Sequence, residues 1–401
     1  MKEDIAHIVR DIMLEFADLT GLSAAANPPR RYLWTDAFAV CNFLELYHQT
    51  GDDSYRQLAL RLVDQVHSLL GRHRDDDPRT GWISGLNEQE GKMHPTAGGL
   101  RIGKKMNERR PSDPFDEDLE WDRDGQYYHY LTKWMHALNR VSRVTGDTTC
   151  NIWAMELAKT AHARFTYVPS GGGQKRMYWK MSIDLSYPLV PSMGYHDPLD
   201  GFITYSQLQA AVSDAPQKAT GPDLTEELRD MADICEGKIW DIDEPLGIGD
   251  LLCNACKVMQ LTISNHFGQT DLLGILLHSS LLGLEAYSKK NPLGLPADYR
   301  LAFRELGLSL GLRAVEKMQR MLAQNSGLFS RQNQLHTRIE HLMRHVPLSE
   351  RIESFWLAPA NRQADSWIEH RDINMAMLAT SLAPDTYLTI EDSLRHDHRG
   401  S

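Results

Sequence analysis

Two stretches that begin at positions 34 and 129 repeat one pattern, and a repeated helical hairpin leaves a chain few closed architectures. The first runs from an apolar segment (Phe38, Phe43, Leu44, Leu46, Tyr47) through Thr50-Gly51-Asp52 into Tyr55, Leu58, Ala59, Leu62, Val63 and Val66. The second runs through Trp134, Leu138 and Val141, then Thr145-Gly146-Asp147, then Trp153, Ala154, Leu157, Ala158 and Ala161. Ala59 falls on Ala154 and Leu62 on Leu157 without a gap. Apolar residues return at intervals of three and four on both sides of each Gly-Asp, which predicts two helices around a tight turn. The glycine supplies a left-handed C-terminal cap, and the Asp or Ser/Thr after it caps the next helix.

The same periodicity predicts helices at 3–19, 32–48, 53–72, 125–144, 149–166, 199–213, 224–238, 248–264, 270–288, 297–323, 331–345, 348–357 and 366–382. Strand signals are confined to short ribbons at 177–185 and 82–84. The fold class is therefore all-α, with helices paired by short turns. The 401 residues exceed the usual size of one domain. A ring of hairpins is the exception, because its core grows around the ring, so residues 1–388 read as one domain and 389–401, rich in His, Arg and Asp, as a disordered tail. A formal net charge of −11 argues against nucleic acid as a partner. No apolar run of spanning length exists, so no membrane partner is expected. Residues 1–10 carry acids and no apolar segment, so no secretory signal is expected, and the five scattered cysteines suit a reduced, cytoplasmic location.

Connections within a hairpin are short, whereas 73–123 and 167–198 are long, with Pro, Gly and charge but little helical period. Loops of this length inside a compact domain are usually functional or disordered. Both follow the second helix of one hairpin and precede the first helix of the next, so in an alternating ring both emerge at one end. That end also presents helix N-termini with free amide donors, a natural mouth for a polar ligand.

This alternation of long loop, helix, Thr-Gly-Asp turn and helix resembles the six-hairpin glycosidase-like superfamily, whose members are (α/α)6 toroids. The superfamily includes glycoside hydrolases, unsaturated glucuronyl hydrolases and N-acylglucosamine 2-epimerases. The resemblance implies a sugar-directed enzyme, with Asp/Glu acids or His bases at the loop-lined end. It does not by itself transfer a reaction.

The densest chemical constellation follows the first loop. Arg101, Lys104, Lys105, Arg109 and Arg110 precede Asp113, Asp116, Glu117, Asp118, Glu120, Asp122 and Asp124, and then come Gln126, Tyr127, Tyr128, His129, Tyr130, Lys133 and Trp134. Charge runs are usually solvated faces, and Asp124 could cap a helix starting beside it. Trp121 among carboxylates also suits a sugar ring, with its apolar C–H face and polar rim. Cleaving a glycosidic bond requires an acid and a second carboxylate across the bond, and Glu120, Asp122 and Asp124 are the candidates. Two apart in an extended segment, they would share one side and could converge on a substrate; they could equally cap, or pair with Arg101 and Arg123.

A second constellation, Tyr195-His196-Asp197 with Asp200 as a helix cap and Gly201 at the helix start, pairs a His with an Asp as a possible general base. A third, Trp367 to Asn374, places His370 at the start of the last helix, where a surface ion-pair cluster is the plainer reading. Trp34 and Asp36 occupy the matching start in the first repeat. With Arg101, Trp121, Tyr127, His129, Tyr195 and His370 they form the expected substrate-binding set.

Other motifs fail. The triple glycine at 171–173 lacks the spacing of a phosphate loop, and Cys253-x-x-Cys256 lies in a helical apolar pattern with no second pair. His336, His341 and His345 suit an amphipathic face rather than a metal site. No cofactor and no metal are expected. The leading expectation is glycosidic hydrolysis of a small-molecule or oligosaccharide substrate. A sugar epimerase using His196 and His370, and a non-enzymatic helical scaffold, are the alternatives.

Overall fold

The computed structural model describes residues 2–23, 27–213, 221–267, 270–329 and 333–390. In chain order the helices of the first half are α1 (Lys2–Leu19), α2 (Leu33–Thr50), α3 (Asp53–Leu70), α4 (Glu88–Met93), α5 (Glu117–Asp122), α6 (Tyr128–Thr145), α7 (Thr149–Phe165), α8 (Asp197–Ser213) and α9 (Thr225–Cys235). The second half contains α10 (Pro245–Ile263), α11 (Thr270–Lys290), α12 (Ala302–Gln324), α13 (Asn333–Met343), α14 (Pro347–Leu357), α15 (Asp365–Ile368), α16 (Arg371–Leu382) and α17 (Asp385–Leu388). Five short strands lie in the loops: β1 (Gln126–Tyr127), β2 (Thr166–Tyr167), β3 (Arg176–Met177), β4 (Lys180–Met181) and β5 (Pro188–Val190).

The repeated turns form as their chemistry dictates. Gly51 and Gly146 have φ of 69° and 75°, the left-handed region, and the Gly146 amide closes on the Ser142 carbonyl. Asp52 then accepts from the Ser54 amide, and Asp147 from the Thr149 amide. The aligned pairs Ala59/Ala154 and Leu62/Leu157 are all fully buried. Truncating either leucine to alanine should cost about 2–5 kcal/mol.

Burial separates two kinds of helix. Six of the described helices carry long buried runs on every side, from Leu33 to Leu46 in α2, Leu131 to Ser142 in α6, Asp197 to Leu208 in α8, Leu251 to Thr262 in α10, Glu305 to Leu312 in α12 and Asn374 to Ser381 in α16. Their hairpin partners bury one stripe only, such as Tyr55, Ala59, Leu62, Val63, Val66 and Leu70 in α3. Such a pattern suits helices enclosed by others and an outer amphipathic layer.

The chain divides into two compact units, Ala17–Tyr47 with Asp52–Lys238, and Met1–Phe16, His48–Gly51 and Ile239–Ser401. In the first, α6 packs on α3, α7 and α8, and α8 on α9. In the second, α12 is central and packs on α10, α13, α14 and α16. No described helix is long and apolar enough to cross a membrane.

Several boundaries differ from expectation. The loop 73–123 contains α4 and α5, and α5 is capped by Asp116, whose side chain accepts from the Leu119 amide. The helix expected from 125 starts at Tyr128, because Gln126 and Tyr127 are drawn into β1. The helix expected from 199 starts at Asp197, so Asp200 sits in its first turn instead of capping it. Pro245, set after the Glu244 cap, starts α10 three residues early. The last helix is broken at Glu369 and His370 into α15 and α16. Of the ribbon expected at 82–84 only a single bridge from Trp82 to Arg72 forms. Cys256 is fully buried on α10, and burial pushes its thiol up to about 11. Ile390 remains attached, its amide donating to Gln260. Residues 331 and 332 and the rest of the expected tail, 391–401, lie outside the described residues.

Candidate functional site

The two long loops meet. β4, from the second loop, pairs with β1 before α6 and with β5, giving a three-stranded antiparallel ribbon in the order β1-β4-β5. Glu108 and Arg109 of the first loop reach across to the second. The Glu108 carboxylate accepts from the Ile183 amide, the Arg109 guanidinium donates to the Leu189 carbonyl at 3.0 Å, and Tyr187 donates to the Arg109 carbonyl at 2.7 Å. Gly125, at φ 146°, allows the close approach, since a Cβ there would lie 2.7 Å from the Met181 carbonyl oxygen.

This junction assembles a continuous aromatic array. Trp121 on α5 meets Trp179 edge-on at 5.2 Å, and Trp179 meets Tyr127 at 5.1 Å and lies nearly parallel to His129 at 6.5 Å. Tyr127 and His129 both contact Tyr130, at 5.1 and 4.7 Å. Tyr130 continues to Tyr32, with the two hydroxyls 2.6 Å apart, and to Trp34. Trp121 is half exposed, and Trp179, His129, Tyr130 and Tyr32 are partly so, whereas Tyr127 and Trp34 form the buried floor. Burial pushes the Tyr127 phenol well above its ordinary range and Tyr32 up to about 12, so both remain neutral hydrogen-bonding groups.

The carboxylates divide by environment. Because α5 is helical, residues two apart point about 200° apart, so Glu120 and Asp122 do not share a side. Glu120 faces inward, 4% exposed, and pairs with Arg109 at 2.8 Å and Lys180 at 3.4 Å. Lys180 also donates to the carbonyls of Glu120 and Arg123 at 2.6 and 2.9 Å, and burial lowers its ammonium to about 8. Asp122 faces solvent, and its charge is felt by Lys104. Asp124 is fully buried and caps no helix. It accepts from the Gly103 and Gly125 amides at 2.9 and 3.1 Å and from Arg101 and Arg74 at 2.9 and 3.2 Å.

Asp197, buried at the start of α8, lies 3.7 Å from His129 Nδ1. Its neighbour His196 is partly exposed against Tyr195, which is half exposed. Below them a buried polar seam joins α6 to α8, with Lys133 3.4 Å from Asp200 and His136 3.0 Å from Gln207.

Two residues of the expected substrate-binding set, Asp36 and Arg101, hold backbone groups, and a third, His370, packs on a ring. Asp36 is buried and accepts from the Tyr32 amide at 2.9 Å, fixing the start of α2. Arg101 donates to the Leu69 and Arg72 carbonyls, closing the end of α3 and tying it to Asp124. His370 belongs to the other compact unit, where its ring meets Phe303 at 5.5 Å. Tyr32, Tyr130, Trp179, Lys104 and Lys180 were not in that set. Tyr130 stood in the Tyr-Tyr-His-Tyr run, and Trp179 lay in a segment whose only visible signal was a ribbon.

No protein-family model and no curated protein matches the chain. Among solved structures it is similar to a family 76 glycoside hydrolase from a bovine Bacteroides thetaiotaomicron strain. The identity is 10%, the match covers 96% of this chain and 77% of that one, and the TM-score is 0.51. It is also similar to a cellobiose 2-epimerase from Spirochaeta thermophila, at 12% identity, 95% and 98% coverage and a TM-score of 0.47. The fold is the (α/α)6 toroid of that glycoside hydrolase. At this level of identity the likeness concerns the fold and not the reaction.

Proposed function

We propose that this chain is a carbohydrate-active enzyme that seats a sugar ring on the Trp121–Trp179–His129–Tyr130 array and hydrolyses a glycosidic bond at its edge. The observation that carries the reading is the partly exposed aromatic surface where both long loops converge, bordered by the His129–Asp197 pair. Aromatic faces accept the apolar C–H side of a pyranose, and the flanking charges serve its hydroxyl rim. Glu120 is paired with Arg109 and Lys180, and Asp124 with Arg101, Arg74 and two amides; the acid and base roles are assigned to Asp122, which is exposed beside Trp121, and to Asp197, which lies beside His129. The family 76 glycoside hydrolase is a neighbour in fold and fits this class of substrate.

The experiment is reducing-end release from a panel of oligosaccharides by wild type, Asp122→Asn and Asp197→Asn. Both variants should lose turnover at least about 100-fold while still binding sugar. Unchanged turnover in both removes the assignment. A second reading, epimerisation, is favoured by one feature, since an imidazole at the platform edge with a carboxylate 3.7 Å away suits abstraction of a carbon-bound proton. In that case His129 would be the base, and product formed in heavy water would carry carbon-bound deuterium without chain cleavage.

A further inference from the structure

Lys104 stands apart from the other cations around the aromatic array. Arg109 is taken up by Glu120 and the Leu189 carbonyl, Lys180 by Glu120 and two carbonyls, and Arg74 and Arg101 by Asp124 and neighbouring carbonyls. The Lys104 ammonium has no hydrogen-bond acceptor among the described residues. It lies 5.5 Å from the centre of the Tyr32 ring, partly buried, and feels the charges of Asp122 and Asp124. Tyr32 is in turn bonded to Tyr130, so this ammonium borders the platform itself. An ammonium brings three donors, and a partly buried one without an acceptor loses hydration that a ligand oxygen can restore.

We infer that Lys104 is a specificity-determining residue and that the sugar taken by this site bears an anionic substituent, which the Lys104 ammonium receives at the edge of the aromatic platform. The inference rests on the sugar-binding reading above and narrows it. Carboxylate and phosphate groups share the required chemistry, a compact anion with several acceptor oxygens.

The test is calorimetric titration of the full chain with three probes: a glucuronic-acid-containing disaccharide, its neutral glucose counterpart, and glucose 6-phosphate. They are applied to wild type, Lys104→Met and Lys104→Arg. Wild type should bind one or both anionic sugars at least about tenfold more tightly than the neutral one. Lys104→Met should lose that preference with neutral-sugar affinity unchanged, and Lys104→Arg should largely keep it. Which anionic sugar shows the preference tells a uronate from a sugar phosphate. Equal affinity for charged and neutral sugars in wild type, or a preference that survives Lys104→Met, overturns the inference and leaves the sugar-binding reading standing. Absence of binding by all three probes overturns both.

Discussion

Asp124 provides the sharpest test of whether the junction is held as described. Its carboxylate is completely buried and receives four donors, the amides of Gly103 and Gly125 on Oδ1 and the guanidinium groups of Arg101 and Arg74 on Oδ2. The two arginine side chains are only 14% and 12% exposed, so solvent can do little to replace the lost partner. Removing one member of a buried ion pair costs about 3–5 kcal/mol, because the remaining charge stays buried without compensation. Arg101 would still be held by the Leu69 and Arg72 carbonyls and could not swing out to water. Asp124→Ala should therefore lie in that range. Asp124→Asn keeps an oxygen for the two glycine amides and should cost less, about 1–3 kcal/mol. Urea denaturation followed by tryptophan fluorescence measures both, with the slope against urea unchanged if only stability is altered. A loss below about 1 kcal/mol for Asp124→Ala would refute the network. Near-normal stability with abolished turnover in Asp124→Asn would return this residue to the catalytic role that its sequence neighbourhood suggested.

Trp121→Ala should weaken sugar binding roughly tenfold, about 1.4 kcal/mol, with little loss of stability, because that side chain is half exposed; calorimetry and thermal melting separate the two effects. Burial lowers Lys180 to about 8, so between pH 8 and its unfolded value near 10.5 the unfolded chain binds more protons and stability rises with pH; comparing urea midpoints of wild type and Lys180→Met across that window should show the rise only in wild type. His67 is fully buried, accepts from the Trp134 indole at 3.2 Å and is pushed down to about 3. Stability from this residue is present above pH 6.5 and lost as pH falls toward 3, and His67→Gln should flatten the acid limb of the denaturation midpoint.

What was legible in the chain was local. Gly51-Asp52 and Gly146-Asp147 encode a cap and a helix start within five residues, and the periodicity around them sets which faces are buried. Those signals survive into the structure almost unaltered. The site was legible in part, through the aromatic run Tyr127 to Tyr130 and through Trp121, because aromatics beside carboxylates are unusual in a solvated loop. Asp36, Arg101 and Asp124 show where that reasoning reaches its end. A charged residue near a helix terminus serves a ligand or a backbone with equal ease, and composition does not say which atoms it will face. Trp179, Lys104 and Lys180 were hidden for a different reason. Lys180 acquires its meaning from Glu120, 60 positions earlier, and no periodicity spans such a separation.

The ribbon that joins β1, β4 and β5 is only a few residues wide, yet it is what holds Trp179 beside Trp121 and His129. Its residues lie inside the packed unit, with Gln126, Lys180 and Leu189 completely buried and Tyr127 and Met181 nearly so. Denaturant should therefore remove ligand affinity and helix content together, since buried segments open at free energies close to that of global unfolding; affinity lost while circular dichroism at 222 nm is unchanged would refute this. A recognition surface anchored in this way shares the stability of the scaffold that carries it.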